Sequence, residues 1–199
     1  MAIANNMEPE LTLSKPTPED FHALSVLQAA AFPEQKQQNN LLRYQRYHKE
    51  CPVKLEHCRI VKLRTPSSSE DNSDEVVAAC QLQLRPRRED GVVDVFIEWI
   101  GCHPDHRGKG VGTMLLDWAG RFAKETLGAT TLGLYMVLSN TGARRLYERN
   151  GFAPVQSNKN SKKAPTTNSE KKTRLQRFQR NFDRLFGHWS ILRMEKKLY

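Results

Sequence analysis

The residues with the clearest chemical meaning lie in one short run. Arg107, Gly108, Lys109, Gly110, Val111 and Gly112 follow a strand-like stretch (92–102) and a turn containing Pro104, and they precede an apolar helical stretch that starts at Gly110. Three glycines in five positions remove side chains from the approach to backbone N–H groups. At the start of a helix those N–H groups and the positive end of the dipole form an anion site suited to phosphate. Arg107 and Lys109 add mobile positive charge. Neither common nucleotide motif fits: there is no GxxxxGK[ST] run, and a GxGxxG begun at Gly108 would need glycine where Thr113 stands. Taken alone, the run reads better as a glycine-rich turn that binds nothing.

A second block changes that balance. Asn140, Ala143, Leu146-Tyr147-Glu148 and Gly151-Phe152 follow a strand-like stretch at 131–137. Together, R-x-x-G-x-G after a strand and N-x-x-A-x-x-L-Y-x-x-x-G-F resemble the two signature blocks of the GCN5-related N-acetyltransferase (GNAT) superfamily, in the expected order. The resemblance implies an α/β (α+β) fold with a mixed, mostly antiparallel central sheet, flanked by helices and splayed at an acyl-CoA cleft. It implies acetyl-CoA as cosubstrate. The pyrophosphate would sit on the N–H groups of Arg107 through Gly112, the pantetheine arm would run along Ile100, Gly101 and Cys102, and Asn140 would hydrogen-bond that arm. Tyr147 matches the family position that protonates the departing thiolate; the competing reading is an aromatic packing residue. The acceptor would be a primary amine: a small amine, a peptide N-terminus or a lysine side chain.

An amine with a pKa near ~10.4 must lose a proton before it attacks. Glu98 is the candidate base. Strand alternation puts it on the face of Ile100 unless a bulge intervenes, and the competing reading is an ordinary exposed strand carboxylate. Cys102 is better read as a small apolar strand residue than as a nucleophile. His103 and His106 flank a turn, and His48, Cys51, His57 and Cys58 cluster loosely, but neither group has the spacing of a closed zinc site, so no metal is expected.

The elements that must hold these residues can be read from pattern. A short strand around Leu11 and Leu13 comes first, then a helix opened by Thr17-Pro18-Glu19-Asp20 that carries Phe21, Leu24 and Leu27. A second helix spans about 36–50, stopped by Pro52. Strands are expected at 55–64, 76–84 and 92–102, the last two as a hairpin around a turn at 86–91. A helix at about 110–126, a strand at 131–137, a helix at 140–150 and strands at 152–155 and 188–198 complete the order.

The chain has 199 residues, 38% hydrophobic and 27% charged, which fits one domain over 8–199. No run reaches the ~18 apolar residues of a membrane span. Residues 1–10 show neither an export nor a mitochondrial signal, and the four cysteines include no CxxC pair, so reduced thiols in the cytosol or nucleus are expected. The net charge of +9 is concentrated: nine basic and two acidic residues fall within 156–186. Residues 156–173 read as a disordered basic insert and 174–186 as an amphipathic helix. The helix reads first as a cover over the acceptor end of the cleft, and the rival is a protein that contacts RNA, an acidic partner or a membrane surface through the insert; a second rival is a non-catalytic acyl-CoA sensor that keeps the slot but lacks an effective base.

Overall fold

The computed structural model describes residues 9–32, 37–64, 74–85, 93–155 and 191–199. The expected insert, its amphipathic helix, the turn at 86–91 and the first part of the last strand lie outside the described residues. The chain divides into two compact units. One comprises Met1–Gly133 with Lys197–Tyr199, the other Leu134–Lys196.

In the first unit, β1 (Glu10–Ser14) pairs antiparallel with β2 (Cys58–Arg64), setting Leu11 opposite Leu63 and Leu13 opposite Val61. β2 pairs antiparallel with β3 (Glu75–Leu84), and β3 with β4 (Asp94–Cys102). β3 is apolar from Val76 through Cys80, Val76 through Leu82 are buried, and both of its edges are paired. That continuous burial is the mark of a strand covered on both faces.

The helices that cover this sheet start where the sequence signals them. The Asp20 carboxylate accepts from the Thr17 N–H at 2.9 Å and from its hydroxyl at 3.1 Å, closing the entry to α1 (Phe21–Ala31) after a single 3₁₀ turn at Pro18–Asp20. Phe21, Leu24 and Leu27 bury one face of α1 against Tyr44 of α2 (Gln37–Glu50) and against Leu55, Ile60 and Ala79. The buried Tyr44 hydroxyl donates to the Gln28 side-chain oxygen at 2.6 Å. α4 (Val111–Arg121) buries Val111, Leu115, Leu116, Trp118 and Ala119, then widens into a π-type turn at Phe122–Thr126.

Two boundaries differ from the sequence reading. The strand expected from residue 55 begins at Cys58, because Val53–Glu56 form a one-turn helix, α3. The residue after Pro52 is free to stay helical, and Leu55 reaches the α1 core from that turn. The helix expected as one piece over about 110–126 changes winding at Phe122.

β5 (Thr131–Val137) begins in the first unit, where Thr131 donates to Asp94 at 3.3 Å and Gly133 abuts the Phe96 ring. In the second unit, α5 (Thr141–Arg149) follows Asn140, and β6 (Ala153–Pro154) pairs antiparallel with β7 (Ile191–Lys197). The seven strands form one sheet in the order β1-β2-β3-β4-β5-β7-β6, mostly antiparallel. Among the described residues, no helix is long and apolar enough to cross a membrane.

Candidate active site

β4 ends at Cys102, and the main chain turns through a 3₁₀ segment, Pro104–His106, into the glycine run. Gly108 and Gly110 both take φ of +79°, and a Cβ at either would meet nothing within 4 Å. The positive φ explains why glycine stands there, and the empty surroundings leave the backbone open to an approaching group. Gly110 is the N-cap of α4. The first N–H groups of an α-helix have no partner within it, so those of Val111 and Gly112 point out beside the glycines. The Arg107 N–H is bonded to the Pro104 carbonyl at 3.3 Å, which moves the start of the open N–H series to Gly108. The Arg107 side chain folds back, its Nε donating to the Cys102 carbonyl at 3.4 Å. Arg107 and Lys109 are exposed, and both draw down a Cys102 thiol pKa that partial burial raises by more. Cys102 is therefore held as the thiol, in keeping with a strand residue.

Glu98 sits at an irregularity. Gln81 faces Trp99 while Leu82 faces Ile97, so Glu98 is the extra residue of a β-bulge. Here the alternation that would set Glu98 on the face of Ile100 is interrupted, because a bulge inserts one residue and re-aims the side chain. Glu98 is exposed in the middle of an otherwise covered strand, and Lys54 Nζ lies 4.0 Å from its carboxylate. Its charge also reaches Tyr47 on α2, whose phenol is pushed up first by burial and next by the Glu98 carboxylate. Just beyond the bulge, a Cβ on Gly101 would come within 2.9 Å of Ala31, and Phe32 meets Trp99 edge-on at 6.4 Å. Glycine at 101 thus lets the end of α1 lie directly on β4. Ile100, opposite Cys80, and Cys102, opposite Ala78, are half-buried.

In the second unit, Asn140 caps α5. Its Oδ1 accepts from the Ala143 N–H at 3.0 Å, which leaves the Nδ2 group as the donor. Tyr147 is buried at 7% exposure and its ring packs 6.0 Å from that of Phe152. The L-Y-x-x-x-G-F spacing works through Gly151, at φ +84°, which turns the chain so that the Phe152 N–H returns to the Tyr147 carbonyl at 3.0 Å.

Two of the histidines, His103 and His106, lie near carboxylates. His103 lies 3.6 Å from Asp105 and His106 3.6 Å from Glu75. Among the described residues, no group of three or more His, Cys, Asp or Glu is gathered as metal ligands would be.

Three residues of this region carry no signal in the sequence: Tyr47, Lys54 and Gln81. Tyr47 looks like any helix aromatic, and Lys54 reaches Glu98 only because α3 exists. Gln81 is buried within β3, where its Nε2 donates to the carbonyls of Lys54 at 2.8 Å, Leu82 at 3.2 Å and His57 at 3.4 Å.

Sheet, glycine loop and following helix are together those of an acetyltransferase fold. The sequence model of the acetyltransferase (GNAT) family matches residues 23–152, and the chain belongs to that family. Solved structures agree on the fold. The NatC complex bound to Gag peptide and CoA has a chain that superposes with a TM-score of 0.63 at 12% identity, covering 96% of this chain and 99% of that one. A spermidine N-acetyltransferase chimera from Vibrio cholerae and hSSAT gives 0.56 at 15% identity, covering 94% and 96%. A ribosomal-protein alanine N-acetyltransferase from Escherichia coli gives 0.57 at 18% identity, covering 95% and 94%. No curated protein matches the sequence.

Proposed function

We propose that the protein transfers an acetyl group from acetyl-CoA to a primary amine, by direct attack of the amine on the thioester. The observation that carries this reading is the glycine cradle. Gly108 and Gly110 hold left-handed backbone with open space where side chains would be, at the N-terminus of a helix, next to two exposed cations. That geometry fits the pyrophosphate of a CoA ester. Gly108, Lys109, Gly110, Val111 and Gly112 would supply N–H groups, and Arg107 and Lys109 their side-chain charge. The main chain of Ile100, Gly101 and Cys102 would pair with the pantetheine arm as an added strand does. Asn140, its Oδ1 engaged in the cap, would offer Nδ2 to the same arm.

The bound ester supplies an activated acetyl group. The chain supplies proton handling and position. Glu98, on its bulge, is the general base that takes a proton from the acceptor ammonium, directly or through water. A main-chain N–H of β4 would stabilise the developing oxyanion. Tyr147 is the general acid: its hydroxyl gives a proton to the leaving sulfur, and the proton that the bonded nitrogen then sheds restores it by way of water, so that the products are a neutral amide and a free thiol.

Acetyl-CoA binding tests the cradle. A ligand that binds only the folded state raises its melting temperature. Gly110→Asp should abolish that rise, because it places a carboxylate where the phosphates must meet backbone. A folded Gly110→Asp protein that keeps the full acetyl-CoA shift would overturn the assignment.

A further inference from the structure

The acceptor side of Glu98 carries a charge pattern that the family resemblance does not contain. Lys54 faces the carboxylate at 4.0 Å, both side chains about one-third exposed at 31% and 34%. Lys54 is there by construction. Gln81 stands opposite the bulge, and its buried amide nitrogen holds the Lys54, Leu82 and His57 carbonyls. A flip of that amide would set its oxygen against the same three acceptors, so the α3 turn is fixed and the Lys54 backbone with it.

Two further cations approach from α2. Arg43 precedes Tyr47 by one helical turn and so shares its face. Both Arg43 and Arg46 lower the phenol pKa of Tyr47 that burial and Glu98 raise. Among the described residues neither arginine has an ion-pair partner, and Glu56, the carboxylate on α3, is taken by Lys15. The carboxylate offered as base thus has Lys54 beside it, and two further cations stand on α2 near Tyr47.

Resting on the acetyltransferase reading above, we propose that Lys54, with Arg43 and Arg46, makes the acceptor side cationic, selecting an amine carried on an acidic peptide and disfavouring polyamines. A second positive charge near the reacting amine would be repelled by Lys54. A carboxylate next to that amine would be attracted by all three side chains. Lys54 is then a specificity-determining residue. It also occupies the counter-ion place of Glu98 until the acceptor arrives.

The test is acceptor-dependent thiol release by the full chain, with three peptides alike except that the two residues after the reacting amine are Asp, Asn or Lys, and with spermidine. At low salt, kcat/KM for the Asp peptide should exceed that for the Lys peptide by about tenfold, mostly through KM, and added salt should shrink the ratio. Lys54→Gln should bring the ratio down by about three- to fivefold, and Lys54→Arg should restore it. The melting temperature and the acetyl-CoA shift of each variant verify that it is folded. Equal efficiencies, or a preference for the Lys peptide or spermidine, would overturn the charge assignment while leaving the acetyltransferase reading intact. Failure to release thiol with any acceptor would remove the acetyltransferase reading, and this inference with it.

Discussion

Tyr147 is the side chain where packing and chemistry coincide. It is nearly buried against Phe152, so its ring is fixed whatever its hydroxyl does. Removing only the hydroxyl separates the two roles. Tyr147→Phe should cut turnover by about 10²–10⁴, the range for a lost general acid, while the acetyl-CoA melting shift is nearly kept. Turnover within a factor of two of wild type would assign the proton to water or to another group. The buried thiols make a second prediction at this scale. Burial pushes Cys58 up to about 12 from an ordinary 9.0 and raises Cys80 well above that ordinary value. The unfolded chain therefore releases these protons first. Stability is whole below about pH 9 and falls as pH climbs through about 9 to 12, by up to about 1.4 kcal/mol per pH unit for each thiol. Denaturant melts at about pH 8 and about pH 10 should show this decline, and replacing Cys58 and Cys80 by Ala should flatten it relative to the variant's own stability at the lower pH. A wild-type stability that does not change between the two would contradict the burial.

At the scale of elements, close backbone contacts hold the strands in place. A Cβ on Gly133 would lie 2.6 Å from the Phe96 ring, and the Arg85 guanidinium lies over that ring, 3.8 Å from its centroid. The ring has little room to yield, so Gly133→Ala should destabilise the protein by about 1–3 kcal/mol, the usual cost of overpacking. An unchanged denaturation midpoint would show that β5 can slide away from β4 there. Most elements were legible because their signals are local: Thr17 and Asp20 at a helix entry, Pro52 after α2, the apolar run of β3. Less legible was α3, since four residues are too few for a helical period to show, and Leu55 fits a strand pattern equally well. The bulge at Glu98 was anticipated only as a condition on the alternation. It arises from pairing with Gln81 and Leu82, which no local pattern encodes. The Lys54–Glu98 pair depends on both of those features and was invisible for that reason. The glycine loop was legible because positive φ demands glycine at fixed spacing.

For the whole molecule, the family match covers residues 23–152 and the similar folds cover 94–96% of the chain, while the molecules named for the similar structures differ: a peptide in one, spermidine in another. The fold thus leaves the acceptor open. The central claim is acetyl transfer to an amine, and one measurement meets it directly: thiol release from acetyl-CoA, followed with and without a panel of peptides, free amines and polyamines. The account predicts release that depends on the acceptor, saturates with it, and leaves a product heavier by one acetyl group. Tight acetyl-CoA binding with no acceptor-dependent release across the whole panel would contradict it, and would make the protein an acyl-CoA sensor instead.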